Sequence, residues 1–376
     1  MKKFTILALM LTTTIQTFAG EIKITANLTG FSDTAVVYLL SGQTPIAYKT
    51  LAQGKVELTA EVSETPESYM MYIVDNNQPY FTELFVADET LQITATKEDF
   101  PYQVKVNGSK HHFAKEKLNE LQMPLHKKGE AFKQEIIALQ QTPEWQKPEV
   151  QEKYVGEKYV GENGLGSKLT FELKQVEADF ILNNFDNAYT WTLLPYNTTA
   201  FDKTFYKAVY DKMTAEQKQT EIGKKYLLAS KSQRLTKGDS FIDIAVLDKD
   251  LNAEKLSDYF AKGKDFVLLD LSSVNCPSSN QSFPITKNFA DKNTDKLQVV
   301  SVLESNDAET YKHFGKLSTD NWAIVYAEDF TRTDTYIQYQ ENKTPTFLLF
   351  DKAGKLIDRW SGALIHQQKL EQHFGK

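Results

Sequence analysis

The chain has 376 residues, of which 25% are charged and 41% hydrophobic, and a formal net charge of −7. This composition is that of a globular protein rather than a disordered or fibrous one, and the length allows two or three domains with ordinary cores. A mildly acidic chain is a poor match for nucleic acid or anionic lipid, and one cysteine, Cys276, excludes an internal disulfide.

The opening MKKFTILALMLTTTIQTFA (1–19) reads as a secretory signal. Lys2 and Lys3 form its basic start, Phe4 to Leu11 its apolar run, and Thr17-Phe18-Ala19 its small-residue exit. The apolar run is too short to span a bilayer, and the stretch after it is polar. Cleavage after Ala19 removes both lysines and takes the net charge from −7 to −9. No cysteine follows the exit, so a lipid anchor on a new N-terminal Cys is excluded. The expected product is exported, periplasmic and soluble.

Residues 20–109 alternate apolar and polar side chains in short runs. "EIKITANL", "AVVYLL", "KVELTAEV", "SYMMYIV", "TELFVA" and "LQITAT" are separated by turn residues such as Ser41-Gly42, Gln53-Gly54 and Asp75-Asn76. This pattern predicts a small all-β, sandwich-like domain. "VNGS" at 106–109 reads as the turn into a helix. Residues 110–235 have helical spacing. A first helix in "FAKEKLNELQMPLHKKGEAFKQEIIALQQ" is expected to break at Pro124. "SKLTFELKQVEADFILNNF" gives a second, and "AFDKTFYKAVYDKM" a third with Phe201, Phe205 and Val209 on one face. Between the first two lies a tandem "EKYVGEKYVG", two copies being too few for a repeat fold.

From 236 to 376 strands and helices alternate. "FVLLDLSS" predicts a buried strand, "SSNQSFPITKNFADK" a helix, "LQVVSVLES" a strand, "DAETYKHFGK" a helix and "NWAIVYAED" a strand. "TPTFLLFDKAGKLIDRW" predicts a hairpin and "HQQKLEQHF" a closing helix. The series describes an α/β sheet with crossover helices. The expected architecture is multidomain: an all-β sandwich-like domain, a helical middle region and a C-terminal α/β domain.

The segment "NCPSSNQSFP" (275–284) resembles the Trp-Cys-Gly-Pro-Cys helix start of thioredoxin-like proteins of the exported thiol-disulfide oxidoreductase type. Cys276 falls on the attacking cysteine, Ser279 on the resolving one and Pro284 on the helix proline, while Asn275 replaces the usual Trp. Asp270, six residues before Cys276, matches the family's buried acid. "KTPTFLLFDKAGKLI" matches its cis-proline loop and hairpin, centred on Thr344-Pro345. The N-terminal β domain and helical region also resemble a common exported architecture of Gram-negative bacteria, whose β domain has no assigned function.

The chemistry agrees with the resemblance. A cysteine at a helix start faces free N–H groups and the positive end of the helix dipole. Such thiols have pKa values of about 3.5–7.5, against about 8.5 for a free thiol, and thiolate is the attacking species in disulfide exchange. A hydroxyl of Ser278 or Ser279 is placed to donate to the sulfur, and Asp270, if buried, to shuttle a proton. Pro277 and Ser278 beside the thiol, with Thr344 and Pro345 opposite, form the expected groove for an extended partner chain. Ser279 is a far weaker nucleophile than a thiol and cannot end in an S–S bond, so a self-sufficient dithiol enzyme is excluded.

Three functions compete: a monothiol protein working through mixed disulfides, a redox-inactive thioredoxin fold used for binding or scaffolding, and a one-cysteine peroxidase. The last needs a proline where Leu269 stands, although Ser273 fits its hydroxyl position. The six histidines show no metal-ligand spacing, and no phosphate loop or G-x-S-x-G elbow occurs. No cofactor and no metal are expected. The implied partners are protein thiols or disulfides, or a small thiol. The sequence assigns no oligomeric state.

Overall fold

The computed structural model describes residues 20–155, 164–304, 308–327 and 334–375. The signal at 1–19 and most of the tandem repeat lie outside these residues. The chain forms two compact units, one of residues 20–123 with 187–189, the other of 124–186 with the rest of the C-terminal part.

The first unit carries eight strands among the described residues: β1 (Gly20–Thr29), β2 (Val36–Ser41), β3 (Thr44–Thr50), β4 (Lys55–Val62), β5 (Glu67–Asp75), β6 (Gln78–Val86), β7 (Thr90–Thr96) and β8 (Lys105–Asn107). They form two four-stranded sheets, ordered β4-β1-β7-β8 and β3-β2-β5-β6. The alternation seen in sequence is the inward face of each strand. Ile22, Ile24, Ala26 and Leu28 of β1 share one core with Val37 and Leu39 of β2 and Tyr69, Met71 and Ile73 of β5. The expected all-β domain is present. Strands β3 and β8 were not legible as strands: β3 is an exposed edge strand containing Pro45, and β8 has three residues. An edge tolerates proline because one side of the strand needs no ladder bond.

Helix α1 (Phe113–Gln140) follows and contains Pro124. The expected break at Pro124 does not occur. Proline removes the N–H that would bond to the carbonyl of Glu120, but Glu120 is exposed, so water can satisfy that carbonyl. The two units divide at this point, between Met123 and Pro124.

The second unit continues with α2 (Pro148–Val155), α3 (Leu165–Asn183), α4 (Ala188–Leu193), α5 (Lys203–Lys212), α6 (Ala215–Gln219) and α7 (Glu221–Lys231). Phe201 precedes α5 instead of riding on it. Asp202 caps that helix, its carboxylate accepting from the N–H groups of Thr204 and Phe205, each at 3.0 Å. The Phe201 ring nevertheless packs on Phe205, with 4.2 Å between centres.

The C-terminal α/β part contains β9 (Ala245–Leu247), β10 (Ala253–Lys255), α8 (Leu256–Phe260), β11 (Phe266–Ser273), α9 (Pro277–Lys292), β12 (Leu297–Glu304), α10 (Ala308–Gly315) and β13 (Trp322–Ala327). It closes with α11 (Asp334–Tyr339), β14 (Thr346–Asp351), β15 (Leu356–Ser361) and α12 (Ala363–Phe374). The sheet order is β10-β9-β13-β12-β11-β14-β15. Strands β11, β12 and β13 run parallel, and β14 and β15 antiparallel to their neighbours. Central β11 is buried from Val267 to Ser273, which is why it reads as a largely apolar run, Val267–Leu269 and Leu271, interrupted by Asp270 and ended by Ser272 and Ser273. One face of the sheet packs Leu268, Val299 and Phe347 with Phe283 and Phe289 of α9. The other packs Leu269, Val300 and Leu348 with Tyr336 and Tyr339 of α11. Ile337 of α11 also joins the core of α3, α5 and α7, so the helical segment and this sheet share buried surface. Among the described residues no helix is long and apolar enough to cross a membrane.

Candidate functional site

Strand β11 ends at Ser273, and three residues later Cys276 is the N-cap of α9 with Pro277 in the first helical position. Proline suits that place, since the N–H it lacks would have no partner within the helix. The Cys276 N–H donates to the Ser273 carbonyl (3.1 Å), closing the turn between strand and helix. Cys276 is half-buried and its thiol is free.

Across from it, the Thr344–Pro345 peptide is cis, the isomer expected from the sequence. The Thr344 carbonyl accepts from the Cys276 Sγ at 3.3 Å. The largest single influence on the thiol, burial, raises its pKa. The Thr344 side chain, the Ser279 N–H and hydroxyl and the Ser278 N–H act against it, and the balance lies below the ordinary thiol value. The Thr344 carbonyl itself favours the protonated form because it is an acceptor. The amides of Ser278 and Ser279 favour thiolate electrostatically, although no amide closes a full capping hydrogen bond on the sulfur.

Ser279 is fully buried. Its Oγ accepts from the Ser273 N–H (3.2 Å), and its carbonyl accepts from the Ser282 hydroxyl (2.7 Å). The Ser278 Oγ accepts from the N–H of Ala363, at 3.1 Å. The Pro345 carbonyl accepts from the Gly362 N–H, at 2.9 Å.

Asp270 is fully buried beneath this end of β11. Its Oδ1 accepts from the Ser272 hydroxyl (2.5 Å) and its Oδ2 from the Ser301 hydroxyl of the paired strand β12 (2.7 Å). The Ser301 Oγ in turn accepts from the Trp322 indole N–H at 2.9 Å. Burial raises the Asp270 pKa to about 6, against the pull of the two serine hydroxyls. Hydroxyls, not a cation, solvate this carboxyl.

The structure thus brings Cys276, Pro277, Ser278, Ser279, Thr344 and Pro345 together at the start of α9, and places Asp270 in the core of the same sheet. Sequence reasoning missed Ser272, Ser301 and Trp322 around the acid. It also missed His366, whose neutral ring bridges the Trp360 indole N–H (3.1 Å) and Thr286 Oγ (2.9 Å). A serine pair inside the apolar β11 run was the one local signal of buried hydroxyl chemistry. Among the described residues no group of three or more His, Cys, Asp or Glu is arranged to hold a metal ion.

Parallel central strands, crossover helices, a cysteine at a helix start and a facing cis proline define a thioredoxin fold. Residues 263–356 match the family model described as thioredoxin-like, and the C-terminal part of this chain is a thioredoxin-like domain. Similar solved structures include the thioredoxin domain of a thiol-disulfide oxidoreductase from Bacteroides vulgatus, at 21% identity over 37% of this chain and 98% of that one, with a TM-score of 0.33. A thiol:disulfide interchange protein from Bacteroides sp. is 18% identical over 38% of this chain and 92% of its own (TM-score 0.32). The exposed lipoprotein thioredoxin of Streptococcus pneumoniae is 24% identical over 35% and 99% (TM-score 0.28). No curated protein matches the chain.

Proposed function

We propose that this is an exported protein whose thioredoxin-like domain performs thiol-disulfide exchange through Cys276 alone. The observation that carries the reading is the placement of the chain's single thiol: at the N-cap of α9, half-exposed, 3.3 Å from the Thr344 carbonyl. In the forward step the Cys276 thiolate attacks one sulfur of a partner disulfide. The partner's S–S bond breaks, its second sulfur leaves as a thiolate that takes a proton from water, and Cys276 is left in a mixed disulfide. Thr344 and Pro345, with Pro277 and Ser278 opposite, form the walls against which an extended partner chain lies. Asp270 acts as the buried acid of the domain, exchanging a proton near neutral pH. Ser279 cannot displace the partner, so an outside thiolate, from a protein or a small thiol, attacks the mixed disulfide and returns Cys276 to its starting state. The leader at 1–19 supports a periplasmic location.

The test is mass spectrometry of the Cys276 adduct after exposure to glutathione disulfide, on wild type and on Ser279→Cys. The account expects a wild-type adduct that persists until an outside thiol is added, and a shorter-lived one in Ser279→Cys together with measurable dithiol reductase activity. If wild type forms no adduct near neutral pH and Ser279→Cys is inert, the domain is a binding or scaffold module instead.

A further inference from the structure

Two neighbouring backbone amides tie together the two walls of the site. Gly362 caps α12 and Ala363 is its first helical residue. The Gly362 N–H donates to the Pro345 carbonyl at 2.9 Å, beside the Thr344 carbonyl that meets the sulfur. The very next amide, the Ala363 N–H, donates to Ser278 Oγ at 3.1 Å, two residues beyond Cys276. One turn further on, His366 of the same helix reaches Thr286 of α9 at 2.9 Å. Helix α12 therefore grips α9 at two heights and the proline loop at one.

Sequence alone assigned Ser278 either to the sulfur or to the substrate groove. Its oxygen accepts an amide from another element, and its backbone N–H, on the first turn of α9, is among the groups that lower the thiol pKa.

We propose that Ser278 is a positioning residue: through the Ala363 N–H its hydroxyl locks the first turn of α9 to the same Gly362–Ala363 step that holds Pro345, and so fixes the aim of the helix-start amides at Cys276. This inference rests on the reading of Cys276 as the nucleophile. The lock has two halves that can be removed separately. Ser278→Ala deletes the acceptor. Ala363→Pro deletes the donor at the first helical position, where proline is tolerated, and Gly362 already has the extended ψ of 149° that a residue before proline adopts.

The experiment is the pH dependence of Cys276 alkylation by iodoacetamide in wild type, Ser278→Ala, Ser278→Thr, Ala363→Pro and the double variant, with circular dichroism to verify folding. The expected result is an apparent pKa raised by about half a pH unit or more in each of Ser278→Ala and Ala363→Pro, because the helix-start amides lose their aim and favour the thiolate less. The double variant should move no further than the larger single, because both delete one interaction. Ser278→Thr keeps the hydroxyl and should keep the wild-type profile. Should Ala363→Pro lose the fold, the contrast between Ser278→Ala and Ser278→Thr decides alone. A lowered wild-type pKa that Ser278→Ala leaves in place overturns the inference and leaves the nucleophile reading standing, even if the variant reacts more slowly with a protein disulfide. An ordinary wild-type thiol profile overturns both.

Discussion

The Cys276 sulfur lies 3.3 Å from the carbonyl oxygen of Thr344, a residue 68 positions further along the chain. The fold sustains this approach with bonds on either side. Thr346 Oγ, just past the proline, bonds back to the Lys343 carbonyl (2.8 Å) and meets Ser361 Oγ (3.0 Å), and Gly362 holds the Pro345 carbonyl. Pro345 offers no N–H, so the backbone facing the sulfur presents the polar groups of Thr344 instead.

Replacing the thiol should cost little stability. Cys276 makes no side-chain cap on α9 and no disulfide. Serine at that position can accept from the helix-start amides. Cys276→Ser is expected to change the free energy of unfolding by less than about 1 kcal/mol, measured by denaturant titration. A loss of several kcal/mol would mean that the sulfur is a packed core atom.

Asp270 gives the fold a pH signature. Burial raises its pKa to about 6 in the folded chain, from an ordinary 3.8. A carboxyl raised in this way contributes stability that is present below its unfolded pKa and lost as pH climbs through the folded one. Between about pH 4 and 6 the protein should therefore lose about 3 kcal/mol from this group, at 1.36 kcal/mol per unit. Asp270→Asn cannot ionise and should flatten that limb in a comparison of unfolding free energies at about pH 4 and about pH 7. An unchanged pH dependence in the variant would show that Asp270 titrates in the ordinary carboxylate range.

His366 should oppose that trend. Burial pushes its pKa down to about 3, so its imidazole stays neutral in the fold while it charges in the unfolded chain below its ordinary 6.5. Stability from this group is present above that value and lost on acidification. Its Nδ1 accepts from Trp360, which can only donate, so the proton sits on Nε2, which donates to the Thr286 hydroxyl, and that hydroxyl donates in turn to the Ser282 carbonyl at 3.0 Å. His366→Leu leaves the Trp360 N–H without its buried acceptor and should cost about 1–3 kcal/mol at pH 7. The deficit should shrink toward pH 5. A deficit that stays constant with pH would contradict the neutral, buried imidazole.

What the sequence made legible follows from range. The run Phe266–Leu269 with Leu271 announced a buried central strand, because a strand covered on both faces is apolar on both alternations wherever no buried partner serves a polar side chain. The lone Cys276 before a proline marked the helix start, and Thr344-Pro345 the facing loop. Contacts made across the chain were not legible. Ser301 reaches Asp270 from 31 residues away and Ala363 reaches Ser278 from 85; a serine in a strand or a small residue at a helix start carries no mark of such a partner. Helix α11 and strands β9 and β10 have six, three and three residues, too short for a period to show. Pro124 misled because its effect depends on the exposure of one carbonyl a turn earlier, which local sequence does not encode.

The most direct test of the central claim is the rate of Cys276 alkylation in folded wild-type protein between pH 5 and pH 9. The account predicts a titration midpoint below the value of about 8.5 for a free thiol, and loss of the whole signal in Cys276→Ser. A thiol that stays unreactive to pH 8, or that titrates at or above the free-thiol value, would contradict it.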